Sequence, residues 1–163
     1  YKGQDILVDA WPAVRDEHPR AELHLVGIGY PPLYEDIPGI KIRGYVENLP
    51  DVLGSMSLYI QPSRVDNFPV SVLEALRAGL PALVTETTGN KKIIEKIDDD
   101  LIVEPDSERL AAGVSRYFNH TNSKKDKLST QARSKGHTFD SDSRKAAFKT
   151  AFNEVLTEIQ QRN

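Results

Sequence analysis

The chain has no cysteine among its 163 residues, which excludes a disulfide scaffold, a thiol nucleophile and any cysteine-ligated zinc or iron–sulfur centre, and fits a reducing compartment. No apolar run is long enough to read as a membrane-spanning helix. The opening residues, Tyr1 to Asp5, lack the charged region and following apolar region of a signal peptide. The four histidines, His18, His24, His120 and His137, show no metal-ligand spacing, and each reads as a surface or packing residue. What is present is ordinary for a globular protein: 39% hydrophobic and 28% charged residues, with ten glycines and ten prolines. The length corresponds to one domain on the usual prior of ~100–200 residues.

The net charge of -3 is unevenly spread. Residues 1–110 carry 11 Lys and Arg against 19 Asp and Glu, while residues 111–163 carry 10 against 5. The basic part is helix-like, and its aromatics are only Tyr117, Phe118, Phe139, Phe148 and Phe152. A solvated helix face is therefore the preferred reading of it, and no nucleic-acid partner is expected.

Short β-like runs alternate with helix-like segments, the pattern of a parallel sheet covered by helices on both faces. Five strands are expected, at Glu22–Val26, Ile40–Arg43, Leu58–Gln61, Ala82–Thr85 and Leu101–Val103. Helices are expected over Gln4–Glu17, Leu49–Met56, Val70–Ala78, Asn90–Ile97 and Ser107–Phe118. Pro12 should kink or shorten the first of them. Beyond residue 120 strands disappear, and residues 124–136 and 142–161 read as two helices, the second with Phe148, Phe152, Val155 and Ile159 on one apolar face. That face reads as ordinary core packing.

Ligands in parallel α/β folds bind where loops and helix N-termini converge at the carboxyl ends of the strands. The junction richest in chemistry runs from Gln61 to Pro81. Pro69 suits the first turn of a helix that would carry Glu74 about one and a half turns in, and Asp66 lies in the loop before it. Two carboxylates so placed can accept hydrogen bonds from the hydroxyls of a polyol, while free N–H groups at the helix start can receive phosphate. Spacing alone leaves Asp66 open to the commoner reading of a turn residue, and divides Glu74 evenly between a ligand and a solvent-facing helical acid.

Other constellations are weaker. Asp98-Asp99-Asp100 reads as a polar turn rather than a metal site, and Gly27-Ile28-Gly29 lacks the third glycine of a dinucleotide fingerprint. Ser63 and Ser71 have neither a nearby histidine base nor a nucleophile elbow.

The junction resembles a known signature. Pro62-Ser63, Asp66-Asn67-Phe68-Pro69, Leu73-Glu74-Ala75-Leu76 and Ala78-Gly79-Leu80-Pro81 are similar to the donor-site signature of the retaining glycosyltransferases of family four. That signature has a Pro-Ser dipeptide, an acidic residue, Phe-Gly or Phe-Pro, then Leu-Glu-Ala, a small residue, Gly and Pro. Further landmarks occur in the family's order: Lys2-Gly3-Gln4-Asp5-Ile6-Leu7, Leu25-Val26-Gly27-Ile28-Gly29, Arg43-Gly44-Tyr45-Val46 and Thr88-Gly89-Asn90. The resemblance covers residues 1 to about 118. It implies a Rossmann-like domain of the GT-B fold over residues 1–120, and a C-terminal helical extension over 121–163. It also places the domain's first strand upstream of Lys2, so that a gap is expected among the five strands.

By resemblance, Glu74 binds the ribose hydroxyls of a nucleotide-sugar donor, and Asp66 contacts the transferred sugar. Lys2 neutralises the donor diphosphate. The chain near Phe68, Val70 and Ser71 meets phosphate or sugar, and Gly44, Tyr45 and Val46 lie beside the base. Three departures stand out: Asp66 replaces the usual glutamate, Pro69 stands where glycine is common and offers no N–H, and Asn90 and Lys92 replace a glycine and a glutamate.

The resemblance implies a hexosyltransferase-type enzyme that transfers a sugar from a nucleotide-sugar to an acceptor hydroxyl with retention, without a metal or other cofactor. It implies a second, N-terminal Rossmann-like domain as partner, and therefore inactivity of residues 1–163 alone. It also implies a lipid-linked or polysaccharide acceptor and a cytoplasmic location with peripheral contact at the membrane face. The alternative from another class is a non-catalytic Rossmann-like nucleotide-binding or scaffold module, which the departures at Asp66, Asn90 and Lys92 support.

Overall fold

The computed structural model describes residues 1–139, 145 and 148–154. Its elements run α1 (Gln4–Glu17), β1 (Leu23–Val26), β2 (Ile40–Gly44), α2 (Leu49–Gly54), β3 (Tyr59–Gln61), α3 (Val70–Arg77), β4 (Ala82–Thr85), α4 (Lys91–Ile94), β5 (Ile102–Val103), α5 (Ser107–Phe118) and α6 (Asn122–His137). Short 3₁₀ turns lie at Pro32–Asp36 and Asp99–Leu101. All five expected strands are present. They form two parallel sheets, β2-β1 and β3-β4-β5, with no direct pairing between β1 and β3.

One core spans both sheets, joining Leu23, Leu25 and Ile40 to Leu83, Val84 and Val103. All four residues of β4, Ala82 to Thr85, are buried, as in a parallel strand covered on both faces. α1 packs along α5 and buries Leu7, Val8, Trp11 and Val14, each such apolar side chain stabilising the fold by ~1.5–3 kcal/mol. Asp106 caps α5 by accepting from the Glu108 and Arg109 amides at 2.9 and 3.1 Å. Gly113 lets that helix approach the sheet, since a Cβ there would lie 2.9 Å from Val103 Cγ1.

The two sheets run the same way. α1 starts at the carboxyl end of β3, where a Cβ on Gly3 would lie 1.9 Å from the Pro62 carbonyl. It ends beside the C-terminus of α5, where the His18 and Phe118 rings meet edge to face at 5.3 Å. That terminus lies at the amino end of β3, because the Tyr117 hydroxyl donates to the Ser57 carbonyl at 2.6 Å. β1 thus begins at the amino side of the fold, as β3 does.

Several local expectations change. α1 runs through Pro12 to Glu17 without shortening: Pro12 is exposed while Trp11 and Val14 on the opposite face are buried, and that burial outweighs the lost backbone bond. The helix expected over Asn90–Ile97 is one turn, Lys91–Ile94. Pro69 is the N-cap of α3 rather than part of its first turn, with φ -64° and ψ 117°, which leaves Glu74 about one turn inside. The helix expected over 124–136 is α6. It buries Leu128 and Ala132 and crosses α3 at Gly136, where a Cβ would lie 2.4 Å from the Arg77 amide nitrogen. Ser129 Oγ donates to the Gly79 carbonyl at 2.7 Å, closing the C-terminal turn of α3. The helix expected over 142–161 falls largely outside the described residues; 148–154 are helical, with the exposed Phe148 and Phe152 rings stacked at 6.0 Å. The acidic run forms a turn, as expected, with Asp98 Oδ1 accepting from the Asp100 amide at 3.0 Å.

Candidate functional site

The loop from Pro62 to Pro69 leaves the carboxyl end of β3 and is held in place by backbone and hydroxyl groups from two other segments. The Ser63 carbonyl accepts from Thr85 Oγ1 at 2.5 Å and from Thr87 Oγ1 at 2.9 Å. The Gly89 amide donates to the Asp66 carbonyl at 2.8 Å, and Asp66 bridges to Thr88 in parallel fashion. Gly89 has no room for a side chain, because a Cβ would lie 1.6 Å from the Asn67 carbonyl oxygen. The β3 and β4 loops are thereby locked together.

From the other side, the Arg64 amide donates to the Tyr1 carbonyl at 2.8 Å. The Arg64 guanidinium forms a two-pronged pair with Asp5 at 2.7 and 2.6 Å, which holds the Asp5 carboxyl down to about 2. Gly3 adopts φ 72°, a left-handed conformation that suits glycine. These constraints aim Lys2 at the loop, and its ammonium donates to Asp66 Oδ2 at 2.6 Å. That hydrogen bond raises the Lys2 pKa. The Asp66 side chain is 12% exposed and that of Lys2 47%, so the pair lies at a surface with its cation reachable from solvent.

Beside this pair lies the start of α3. The Val72 amide returns to the Pro69 carbonyl at 3.2 Å, while the Val70 and Ser71 amides belong to the helix's unpaired first turn. Asn90, fully buried, donates from Nδ2 to the Pro69 carbonyl at 3.1 Å, and its Oδ1 has no partner. Phe68 is partly exposed and packs its ring 6.3 Å from that of Phe139. Beneath the helix start, the Tyr59 hydroxyl donates to Gln61 Oε1 at 2.7 Å and meets Ser71 Oγ at 2.8 Å, while Gln61 Nε2 donates to Ser63 Oγ at 2.7 Å. Burial pushes the Tyr59 phenol up to about 12. Glu74 follows Ser71 by three residues, so both share one face of α3, and Glu74 is exposed.

Of the residues expected at a site, the structure thus brings Lys2 into contact with Asp66, and sets Phe68, Val70, Ser71 and Glu74 around the start of α3. Gly44, Tyr45 and Val46 lie at the end of β2 on the other sheet, with Tyr45 80% exposed. Among the described residues no hydrogen bond or ion pair links those three to Lys2 or Asp66. The Tyr59–Gln61–Ser63 network, the three threonines and the Asp5–Arg64 pair are additions to the sequence reading. Alternation supplied a signal for the first, since Tyr59, Gln61 and Ser63 are polar residues two apart along a strand and its exit. Chemically, the cluster offers a cation and unpaired amides to an anion, with two carboxylates to accept from hydroxyls. No group of three or more acidic or histidine side chains placed to hold a metal ion occurs among the described residues.

Parallel strands flanked by helices, with loops converging at the carboxyl ends of the strands, define an α/β, Rossmann-like class of fold. Residues 1–120 match the family of group 1 glycosyl transferases, and the chain belongs to that family. It is 28% identical over 138 residues to mannosylfructose-phosphate synthase of Agrobacterium fabrum, covering 73% of this chain and 30% of that protein. It is also 28% identical over 130 residues to an uncharacterized glycosyltransferase of Haemophilus influenzae, covering 74% and 37%. The chain therefore spans about a third of the length of these curated relatives. Among solved structures it resembles a glycosyltransferase of Rickettsia africae, with TM-score 0.77 and 19% identity over 96% of this chain and 45% of that one. Anabaena HepE, solved in complex with UDP and glucose, gives TM-score 0.74 and 19% identity over 93% and 45%. These neighbours share the GT-B fold. No helix among the described residues is long and apolar enough to cross a membrane.

Proposed function

We propose that residues 1–120 form the donor-binding domain of a retaining glycosyltransferase of family four, of hexosyltransferase type, with residues 121–163 as its helical extension. The observation that supports this reading is that Lys2, from the segment before α1, meets Asp66 on the locked β3 and β4 loops, four residues before the unpaired first turn of α3. In the reaction, the bond between the anomeric carbon and the diphosphate oxygen breaks, and both electrons leave with the diphosphate. Lys2 and the Val70 and Ser71 amides offset that growing charge, the work a metal ion would otherwise do. The acceptor hydroxyl attacks from the same face, and its proton passes to a phosphate oxygen of the donor. Asp66 holds the transferred sugar, Glu74 accepts from the ribose hydroxyls, and Tyr45 with Val46 flanks the base.

The acceptor is a lipid-linked or polysaccharide hydroxyl, met in a cleft against a second Rossmann-like domain at the cytoplasmic membrane face. The 163-residue chain then binds a donor nucleotide but does not turn it over. Calorimetric titration with UDP, GDP and ADP tests this reading. One nucleotide binds selectively, and Glu74→Ala weakens it by about tenfold, the scale of a hydrogen bond to a charged group. Equal binding of all three, or none, speaks for a scaffold module instead, and turnover by the chain alone contradicts the two-domain reading.

A further inference from the structure

The start of α3 carries one buried polar side chain with no part in the proposed donor contacts. Asn90 is fully buried, yet among the described residues its Oδ1 accepts from nothing. A buried acceptor left unpaired costs free energy comparable to a lost hydrogen bond, and few folded proteins keep one. The orientation of the amide is nevertheless fixed. Its Nδ2 donates to the Pro69 carbonyl at 3.1 Å, and turning the group over would set two acceptor oxygens against each other.

What Asn90 grips is one peptide plane. The Pro69 carbonyl and the Val70 N–H belong to the same trans peptide unit, in which the two bonds point in opposite directions. The carbonyl turns inward to a side chain with no exposure, so the Val70 N–H turns outward, at a residue that is 63% exposed. The proline ring holds φ at -64°, which leaves ψ of Pro69 as the soft dihedral that aims this plane. Two partners set it, the Val72 amide at 3.2 Å and Asn90, and together they use both lone pairs of the carbonyl. Asn90 is itself a fixed base. Its own carbonyl accepts from the buried Ile93 and Ile94 amides at 2.8 and 3.3 Å, and the preceding Gly89 is tied to the Asp66 carbonyl. The start of α3 is thus braced from the same β4 loop that holds Asp66.

We propose that Asn90 is the positioning residue of the phosphate subsite: its side-chain amide, by holding the Pro69 carbonyl, aims the Val70 N–H at the donor diphosphate. Pro69 and Asn90 both stand where the resembled family has glycine, and here the two are in contact. The departures form one compensated unit, in which proline withdraws its own N–H and asparagine secures the next one. This role rests on the proposed donor site. It also makes the substitution at Asn90 part of a working anion subsite rather than a mark of a scaffold.

Inorganic pyrophosphate probes the subsite without involving a base or a sugar. In proton–nitrogen correlation spectra of the 163-residue chain, the Val70 and Ser71 amide signals move as pyrophosphate is added, with half-saturation on the order of 1 mM. Two variants are compared with the parent: Asn90→Ala, which removes the amide, and Asn90→Leu, which puts an apolar group of similar size in the same buried place. In both, the Pro69 carbonyl keeps the Val72 bond, so α3 still starts at Val70. Affinity for pyrophosphate falls about fivefold in each, the scale of one net hydrogen bond, and the Val70 signal is displaced before any pyrophosphate is added. A role in stability alone lowers the Tm and leaves the affinity of the folded chain unchanged; that result, or equal affinity in parent and variants at equal Tm, overturns the proposal. If the Val70 and Ser71 signals of the parent do not respond at all, the donor site is lost from α3 and the positioning role falls with it. The parent titration by itself therefore tells the two failures apart.

Discussion

The ammonium of Lys2 donates to the carboxylate of Asp66 at 2.6 Å, across 64 positions of sequence. One is a reachable cation and the other a carboxylate largely withdrawn from solvent, so any anion that binds at the start of α3 competes with Asp66 for Lys2. The loop that presents Asp66 is fixed from β4, and the segment that presents Lys2 is fixed by Gly3 and Arg64. The competition is therefore set by geometry rather than by side-chain wandering.

Asp66→Asn accordingly raises the affinity for UDP by about two- to fivefold, the equivalent of ~0.5–1 kcal/mol for an ion pair whose cation is solvent-accessible. Lys2→Met lowers it. Calorimetry on the two variants checks the sign; weaker binding by Asp66→Asn would mean that the carboxylate does not compete.

The Asp5–Arg64 pair makes stability depend on acid. Its carboxyl, held at about 2 by the Arg64 hydrogen bonds against an ordinary 3.8, contributes stability that is fully present above that ordinary value and is lost as pH falls through about 2. Both side chains are about half exposed, so solvent screening keeps the contribution small. Thermal melts of the parent chain and Arg64→Gln should differ near neutrality and converge toward pH ~2. A constant difference across that range removes the pair as its source.

Gly3→Ala places a methyl group 1.9 Å from the Pro62 carbonyl oxygen at a residue with φ 72°. Strain and overpacking together cost ~2–4 kcal/mol and shift the start of α1 from the β3 loop. A lower Tm is the first readout. The second is that Asp66→Asn no longer changes UDP affinity in the Gly3→Ala background, because Lys2 no longer reaches Asp66.

Tyr59→Phe removes the phenol that ties Gln61 to Ser71 under the start of α3. Loss of these bonds costs ~1–2 kcal/mol, seen as a reduced midpoint in urea unfolding. In the parent chain the ultraviolet absorbance of one tyrosine titrates only near pH 12, and this late step disappears in Tyr59→Phe. A late step that persists assigns it to another of the six tyrosines.

Local pattern carried the elements well where burial is simple. β4 stands at its expected bounds because Ala82 to Thr85 is a short buried run between Pro81 and a polar turn, and α5 because Asp106 caps an amphipathic stretch. Pattern failed where neighbours decide. The segment after Asn90 shows the apolar spacing of a longer helix, yet it closes after one turn while its buried Ile93, Ile94 and Ile97 satisfy the core. Pro12 reads as a breaker, yet packing of Trp11 and Val14 carries α1 past it.

The sequence by itself determined that alternating strands and helices make a parallel α/β domain, and that Asp66, Ser71 and Glu74 fall at the junction of one strand and the next helix, because periodicity and turn residues act over a few positions. Only the tertiary structure decided that Lys2 grips Asp66, that hydroxyls from β4 brace the Ser63 carbonyl, and that five strands divide into two sheets. Those outcomes depend on contacts between residues tens of positions apart. A chain's local preferences do not specify such contacts; packing and backbone hydrogen bonding select them together.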